Sequence, residues 1–275
     1  GFTAYEVRAG RSEIHYLGVD ESARGAGIGT RMVEAVRRSA YDLPLHAQTG
    51  EAAIGFYRRL GFTISPAAQD PRWPTRQRYD CTIAPLGDPA DVTLATYRTS
   101  ALRYVQNTST EPSPLVDVLR GLVPAGAHVL ELGSGPGRDA DAMEAAGLVV
   151  DRTDAAASFI ALQHAAGHDV RLLDVRDPDH GGPYDAVFAN AVLLHIPRGR
   201  LRGVLETTRR ATVPGGVIVA SFKKGDGEEW SERKLDAPRH YTYWREDALA
   251  QVFADAGWTQ VDARDTTRPG SAEAW

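Results

Sequence analysis

Residues 130–139 read LELGSGPGRD: a short apolar run breaks after Glu131 into glycines at 133, 135 and 137, then meets an Arg-Asp pair. Glycines gathered behind a strand let the backbone turn sharply and approach a ligand closely, while the helix that follows aims free N–H groups at negative charge. A dinucleotide loop is one reading. Its spacing, however, is G-x-G-x-x-G, and here Gly133, Gly135 and Gly137 stand as G-x-G-x-G with Pro136 between the last two. The loop alone leaves its ligand open, so its neighbours have to decide.

Downstream, strand-like and helical runs alternate: VVDRTD, a helix, VRLLD, YDAVFANAVLL, a helix and GGVIVASF. That βαβα rhythm predicts a parallel sheet covered on both faces. A helix over Glu246 to Ala256 ends at Gly257, and WTQVDARD is read as one more strand. Upstream, a helical region holding Tyr97 and Tyr104 leads through a Pro-containing linker and a helix from Pro114 to Leu122 into AHVLEL. Ligands of such sheets sit beyond the carboxyl ends of the strands, where the strand order reverses. Glu131, Asp154 and Asp174 close three successive strands. A carboxylate after the second strand accepts from both hydroxyls of a ribose, and one after the third can accept from an exocyclic amine. A ribose is thus implied, without saying which nucleotide carries it.

The stretch PLGDP, residues 85–89, separates this half from a differently patterned one, and we place two domains at 1–85 and 86–275. The first half reads as strands TAYEV and IHYLGV, a glycine loop, the helix GTRMVEAVRRSA, the strand LPLHAQ, a helix ending at YRRLGF, and the strand RYDCTI. Its loop, within ARGAGIGTRMVEAVRR, places Arg24, Gly27 and Gly29 as R-x-x-G-x-G ahead of a helix. Successive N–H groups there can cradle a pyrophosphate, or the glycines can simply make a tight turn.

Composition sets outer limits. The chain has 275 residues, 43% hydrophobic and 24% charged, with a net charge of −5. That balance offers no general attraction to phosphate backbones, so nucleic acid is not the expected partner. No apolar run approaches the roughly 20 residues of a bilayer span, so a membrane is not expected either. One cysteine, Cys81, rules out an intrachain disulfide framework and suits a reducing, cytoplasmic setting. His164 and His168 stand at i and i+4, but Gly167 weakens their helix and no third ligand completes the set, so no metal is expected.

Taken in order, ELGSGPGRDADAMEAAG, RTDAAASF, LLDVRD, YDAVFANAVLLHI and VPGGVIVASF resemble the class I S-adenosylmethionine-dependent methyltransferases, from about Tyr97 to the end. The resemblance implies a Rossmann-like, seven-stranded α/β sheet. It makes Glu131, Gly133, Gly135 and Gly137 the loop behind the methionine part of S-adenosyl-L-methionine. It also makes Asp154 the ribose ligand, Asp174 with Val175 the adenine contacts, Asn190 a neighbour of the sulfonium, and Tyr97 and Tyr104 lid tyrosines. Methyl transfer needs mainly alignment and desolvation. Where a base is needed, His195 is the candidate. Tyr241, Tyr243 and Trp244 in RHYTYW either line an acceptor pocket or pack as a strand or loop.

The first glycine loop, with LHAQTGEAAIGFYRRLGF after it, looks like the acetyl-CoA-binding half of the GNAT acetyltransferases, an α+β fold, over about Ile14 to Phe62. Carried over, Arg24, Gly25, Gly27, Gly29 and Thr30 would hold the pyrophosphate, Val19 would pair with the pantetheine arm, and Tyr57 would protonate the departing thiolate. The position where many relatives carry Asn is Gly50, and the family's opening strands and helices are missing, as is the last strand of the methyltransferase hairpin. A piece of a longer chain would read this way, as would a half-domain closed by its neighbour or in a homodimer. The expected function is methyl transfer to an O or N nucleophile of a small molecule. The alternatives are acetyl transfer as the main activity, or a non-catalytic cofactor-binding scaffold.

Overall fold

In the computed structural model, which describes residues 1–68, 74–265 and 275, the chain divides after Asp88 into two units, Gly1–Asp88 and Pro89–Trp275. The first begins with an antiparallel pair, β1 (Phe2–Arg8) and β2 (Arg11–Gly18). Helix α1 (Ile28–Ser39) carries the chain over to β3 (Leu45–Thr49), parallel to β2. After α2 (Glu51–Arg59), β4 (Thr63–Pro66) and β5 (Tyr79–Ile83) complete a mixed sheet in the order β1-β2-β3-β5-β4. The amphipathic α1 turns Val33 and Val36 onto Ile14, Leu45 and Ala47, which forms the core of this unit. β4 had no strand signal of its own: TISP is short and mostly exposed, and it pairs only along the edge of β5.

The second unit opens with α3 (Pro89–Gln106), whose helical geometry breaks at Ser100 (φ −118°), between Tyr97 and Tyr104. Then come α4 (Leu115–Arg120), β6 (His128–Glu131), α5 (Arg138–Ala145), β7 (Val149–Asp154), α6 (Ala157–Ala165), β8 (Arg171–Leu172), β9 (Tyr184–Ala189), α7 (Arg198–Arg210) and β10 (Thr212–Ala220). Strand pairing is parallel throughout in the order β10-β9-β6-β7-β8. From β6 the chain adds β7 and β8 on one side, then crosses to lay β9 against the other side of β6. The order therefore reverses at β6, and the crevice beyond its carboxyl end is where such sheets take ligands.

Burial explains the continuous apolar runs. Leu130, Val187 and Ala189 face one apolar cluster, whereas Val129, Ala186 and Phe188 face another, as the two-residue period of a strand covered on both faces requires. Among the described residues, no helix is long and apolar enough to cross a membrane.

Two expectations are corrected. The main sheet has five strands among the described residues, not seven. WTQVDARD forms no strand over residues 258–265: Trp258 is buried with its indole N–H donating to the Leu205 carbonyl (3.1 Å), and the residues after it are exposed and pair with no strand. Residues 266–274 of the expected hairpin lie outside the described residues. The extra strands lie elsewhere, in a second sheet where β13 (Arg239–Trp244) runs between β11 (Lys223–Lys224) and β12 (Glu228–Ser231), before α8 (Glu246–Asp255). RHYTYW is thus the central strand of a small sheet.

Phe188, fully buried at the centre of β9, is the test of this core. Phe188→Ala should cost about 3–5 kcal/mol in denaturant unfolding, since it removes buried area and leaves a cavity. A cost below about 1 kcal/mol would contradict its central position.

Candidate active site

Beyond the carboxyl end of β6 the loop 132–137 uses left-handed glycines at 133, 135 and 137. A Cβ on Gly133 (φ +67°) would stand 2.4 Å from Val192, and one on Gly137 (φ +91°) would stand 2.7 Å from Gln163 Oε1, so both positions are closed by packing. A Cβ on Gly135 (φ +54°) would meet nothing within 4 Å. Gly135 instead borders a solvent-open cavity that Asp154, Asp174, Asn190 and His195 also line.

Glu131 does not line that cavity. It lies beneath the loop, 3% exposed, and accepts a short hydrogen bond from the Ser134 hydroxyl. Burial pushes its carboxyl up to about 8. Asp154, at the end of β7, does reach the cavity. Its Oδ2 accepts the Gly135 N–H (2.8 Å) and its Oδ1 the Ala156 N–H (2.7 Å), so one carboxylate fixes both the glycine loop and the turn into α6. Burial raises its pKa and these N–H donors oppose the rise.

Asp174 also lines the cavity, with Val175 beside it. Arg176, a residue the sequence reading missed, grips both its oxygens through Nε (2.9 Å) and Nη2 (2.6 Å) and also reaches Asp91 (2.7 Å). Burial would raise the Asp174 carboxyl, but the hydrogen bonds from Arg176 win and hold it below the usual range. Asn190 is fixed at both ends, donating to Asp139 (2.8 Å) and accepting from Ser221 Oγ (2.9 Å). Asp139, buried in the first turn of α5, also accepts the Ser113 N–H (2.7 Å).

The remaining wall is aromatic. Tyr97 and Tyr104 from α3 meet Phe159 of α6 with centroid separations of 5.5–6.2 Å. Phe159 carried no sequence signal beyond its place in an apolar helix. Tyr97 then contacts His195, which lies 4.7 Å from Tyr241. His195 is held at both ring nitrogens: Nδ1 lies 2.6 Å from the His240 carbonyl and Nε2 lies 2.9 Å from the Tyr97 hydroxyl. A carbonyl can only accept, so Nδ1 carries the proton and Nε2 accepts from Tyr97. Burial drives the His195 pKa down to about 3 and pushes the Tyr97 hydroxyl well above its ordinary value. The pair therefore rests neutral. Tyr241 and Trp244 are buried and Tyr243 half-buried in β13; none of the three borders the cavity directly.

The residues singled out in the first unit divide differently. Gly27 (φ +73°) caps α1 with no side chain bonded to the helix end, Gly25 is also left-handed, and Arg24 is exposed beside Glu21 (3.9 Å). Gly29 lies in the first turn of α1, where a Cβ would press the Phe56 ring at 3.2 Å, and Thr30 follows it. Val19 stands just past the end of β2. Tyr57 corrects its carried-over role: it sits in the apolar core between Phe56 and Phe62, where burial raises its hydroxyl, in the manner of a packing aromatic.

His164 and His168 do not converge on one site: His164 accepts the Val170 N–H (3.4 Å) and His168 lies 3.5 Å from Asp141. Asp141, Glu144 and His168 approach one another, but both carboxylates are bound by Arg152.

Glu131 gives this site a pH dependence. The folded chain keeps the Glu131 proton up to about pH 8, while an unfolded chain releases it above about 4.5, so its contribution to stability falls as pH rises between those values. Glu131→Gln cannot ionise. Denaturant unfolding at pH 5 and pH 8 should show the variant gaining stability relative to the parent at the higher pH; no relative change would mean that the carboxyl titrates normally.

A methyltransferase domain model matches residues 103–263, and an acetyltransferase (GNAT) domain model matches residues 1–64. A 5-NmdU N-acetyltransferase of Pseudomonas phage PaMx11 is 34% identical over 64 residues, which are 22% of this chain and 45% of that protein. The chain thus spans less than half the length of that curated relative. Among solved structures, Burkholderia thailandensis 1,6-didemethyltoxoflavin-N1-methyltransferase, with bound 1,6-didemethyltoxoflavin and S-adenosylhomocysteine, covers 76% of this chain and 95% of its own at 22% identity and a TM-score of 0.56. Haemonchus contortus phosphoethanolamine N-methyltransferase 2, in complex with S-adenosyl-L-methionine, covers 90% and 69% at 15% identity and a TM-score of 0.53. These two structures share the fold. With its family model spanning more than half of its length, over the unit that holds the glycine loop and the cavity, the chain belongs to the methyltransferase domain family.

Proposed function

We propose that the second unit binds S-adenosyl-L-methionine in the cavity beyond β6 and transfers its methyl group to an O or N nucleophile of a small molecule. The observation that carries this reading is the open space over Gly135, bordered by Asp154 at the end of β7 and by Asp174 after β8. A nucleoside with an extended tail fits such a cradle: Asp154 keeps lone pairs for ribose hydroxyls, Val175 and Asp174 flank the base, and Asn190 is locked in place near the tail. When bound there, the sulfonium supplies a methyl group already activated for in-line displacement.

The chain's own work is alignment, exclusion of water and removal of one proton. Tyr97, Tyr104, Phe159 and His195 form a largely apolar wall for that purpose. His195 Nε2 can take the acceptor's proton through the Tyr97 hydroxyl, which gives its own proton to Nε2 as it receives another. The depressed His195 pKa makes this transient, so no protonated imidazole accumulates before the chemistry.

A second reading concerns the first unit, where the GNAT model match and the left-handed glycines at the uncapped start of α1 support binding of acetyl-CoA by residues 24–30. The core position of Tyr57 favours binding over catalysis there.

Calorimetry with S-adenosylhomocysteine tests the main reading, and absence of binding would sink it. Gly135→Val, which fills the open space, and Asp154→Ala, which frees the loop, should each weaken binding at least tenfold. Of the two, normal binding by Asp154→Ala would remove the ribose assignment. His195→Gln should lower kcat about 10²-fold with the affinity for S-adenosylhomocysteine unchanged within about twofold; an unchanged rate would leave His195 a structural residue.

A further inference from the structure

The wall that holds Tyr97 and His195 is backed by buried positive charge. Arg239, the first residue of β13, is 4% exposed. Among the described residues no carboxylate lies within ion-pair distance of its guanidinium. One Nη donates a short hydrogen bond to the Arg233 carbonyl, the other makes a long contact with the Tyr97 hydroxyl (3.4 Å), and Nε–H has no acceptor. The guanidinium carbon stands 5.2 Å from the centroid of the Tyr241 ring and 5.8 Å from that of Tyr97. Lys223, also buried, places its ammonium 4.1 Å from the same Tyr241 ring.

The nearby acids are engaged elsewhere, Glu228 with His240 (3.2 Å) and Asp236 with Arg103 (2.6 Å). A buried guanidinium facing only neutral partners destabilises the folded chain. A core serving stability alone would place an apolar residue or an ion pair here. An arginine with unspent donors, one side chain behind a cavity wall, is instead suited to meet an anion.

Building on the methyl-transfer reading, we propose that Arg239 anchors an acceptor subsite for a compact oxyanion, a carboxylate or phosphate monoester, carried by the small molecule that receives the methyl group. The Tyr97 hydroxyl lies between His195 Nε2 and Arg239, so an oxyanion that takes over the long Arg239 contact stands next to the proton-accepting pair. Burial first, and then the charges of Arg239 and Lys223, hold down the proton affinity of His195. An anion beside those cations relieves the second effect. Acceptor binding thereby makes Nε2 a better base at the moment one is needed.

The test uses the full chain saturated with S-adenosylhomocysteine, titrated with benzoate and phenyl phosphate and with their neutral counterparts benzamide and phenol. At least one anion should bind ten times more tightly than its neutral partner, and the tighter of the two anions identifies the oxyanion. Arg239→Met should abolish that preference while keeping affinity for S-adenosylhomocysteine within twofold, and its melting temperature should equal or exceed the parent's. Anions that bind no better than the neutral probes overturn the proposal, and this arm needs no variant. So does a preference that survives Arg239→Met, or an Arg239→Met chain that fails to fold, which would make the arginine structural. The cofactor arm reads separately: an anion preference without S-adenosylhomocysteine binding overturns the methyl-transfer reading alone, and the converse overturns the anion subsite alone.

Discussion

One carboxylate organises the ligand-facing end of the second unit. Asp154 accepts N–H groups from the glycine loop after β6 and from the turn after β7, joining two parallel strand ends that would otherwise leave buried backbone donors unsatisfied. The loop reaches it through left-handed residues at 133, 135 and 137, with the Gly135 N–H on one carboxylate oxygen and the Ala156 N–H on the other. Gln163 reinforces the same junction by donating to the Gly135 carbonyl (2.9 Å). The cavity floor is therefore pinned by the chain's own hydrogen bonds, an arrangement that favours alignment of reactants.

Around this floor, charge is arranged in tiers. Glu131 is sealed below the loop, where its raised pKa spares the fold a second buried negative charge beside Asp154. Asp174 faces the cavity but is offset by Arg176. His195 and Tyr97 are neutral at the wall, and positive charge stands behind them in Arg239 and Lys223. On the proposed reading, the carboxylates of Asp154 and Asp174 and the cations Arg239 and Lys223 would stand on different sides of the reacting groups.

Much of this was legible in the sequence wherever local rules prevailed. Apolar runs at Val129, Leu130 and 186–189 announced strands covered on both faces, and the glycine spacing with Asp154 and Asp174 located the crevice. Long-range partners decided the rest. Nothing in ELGSG says that Glu131 points down while Gly135 faces open space; packing against Ser134 and Val192 settles it. Arg176 was hidden because an Asp two residues before an Arg is common on any surface. WTQVDARD has strand-like composition but no partner strand, whereas RHYTYW gained two partners in the short strands just before it. Tyr57 illustrates the limit of transfer by motif, since an amphipathic helix places a tyrosine in a core as readily as in a cleft.

The break in α3 at Ser100 has a mechanical side. The backbone departs from helical geometry between the turn bearing Tyr97 and the turn bearing Tyr104, and both halves are stitched to one neighbouring stretch. Thr96 donates to the Pro238 carbonyl (2.6 Å), Arg103 to that of Leu235 (3.1 Å) and Asn107 to that of Lys234 (2.9 Å). The aromatic wall is thus bent at Ser100 but fastened on both sides of the bend to residues 234–238, so the angle between the two tyrosines is set by that stretch as much as by the helix.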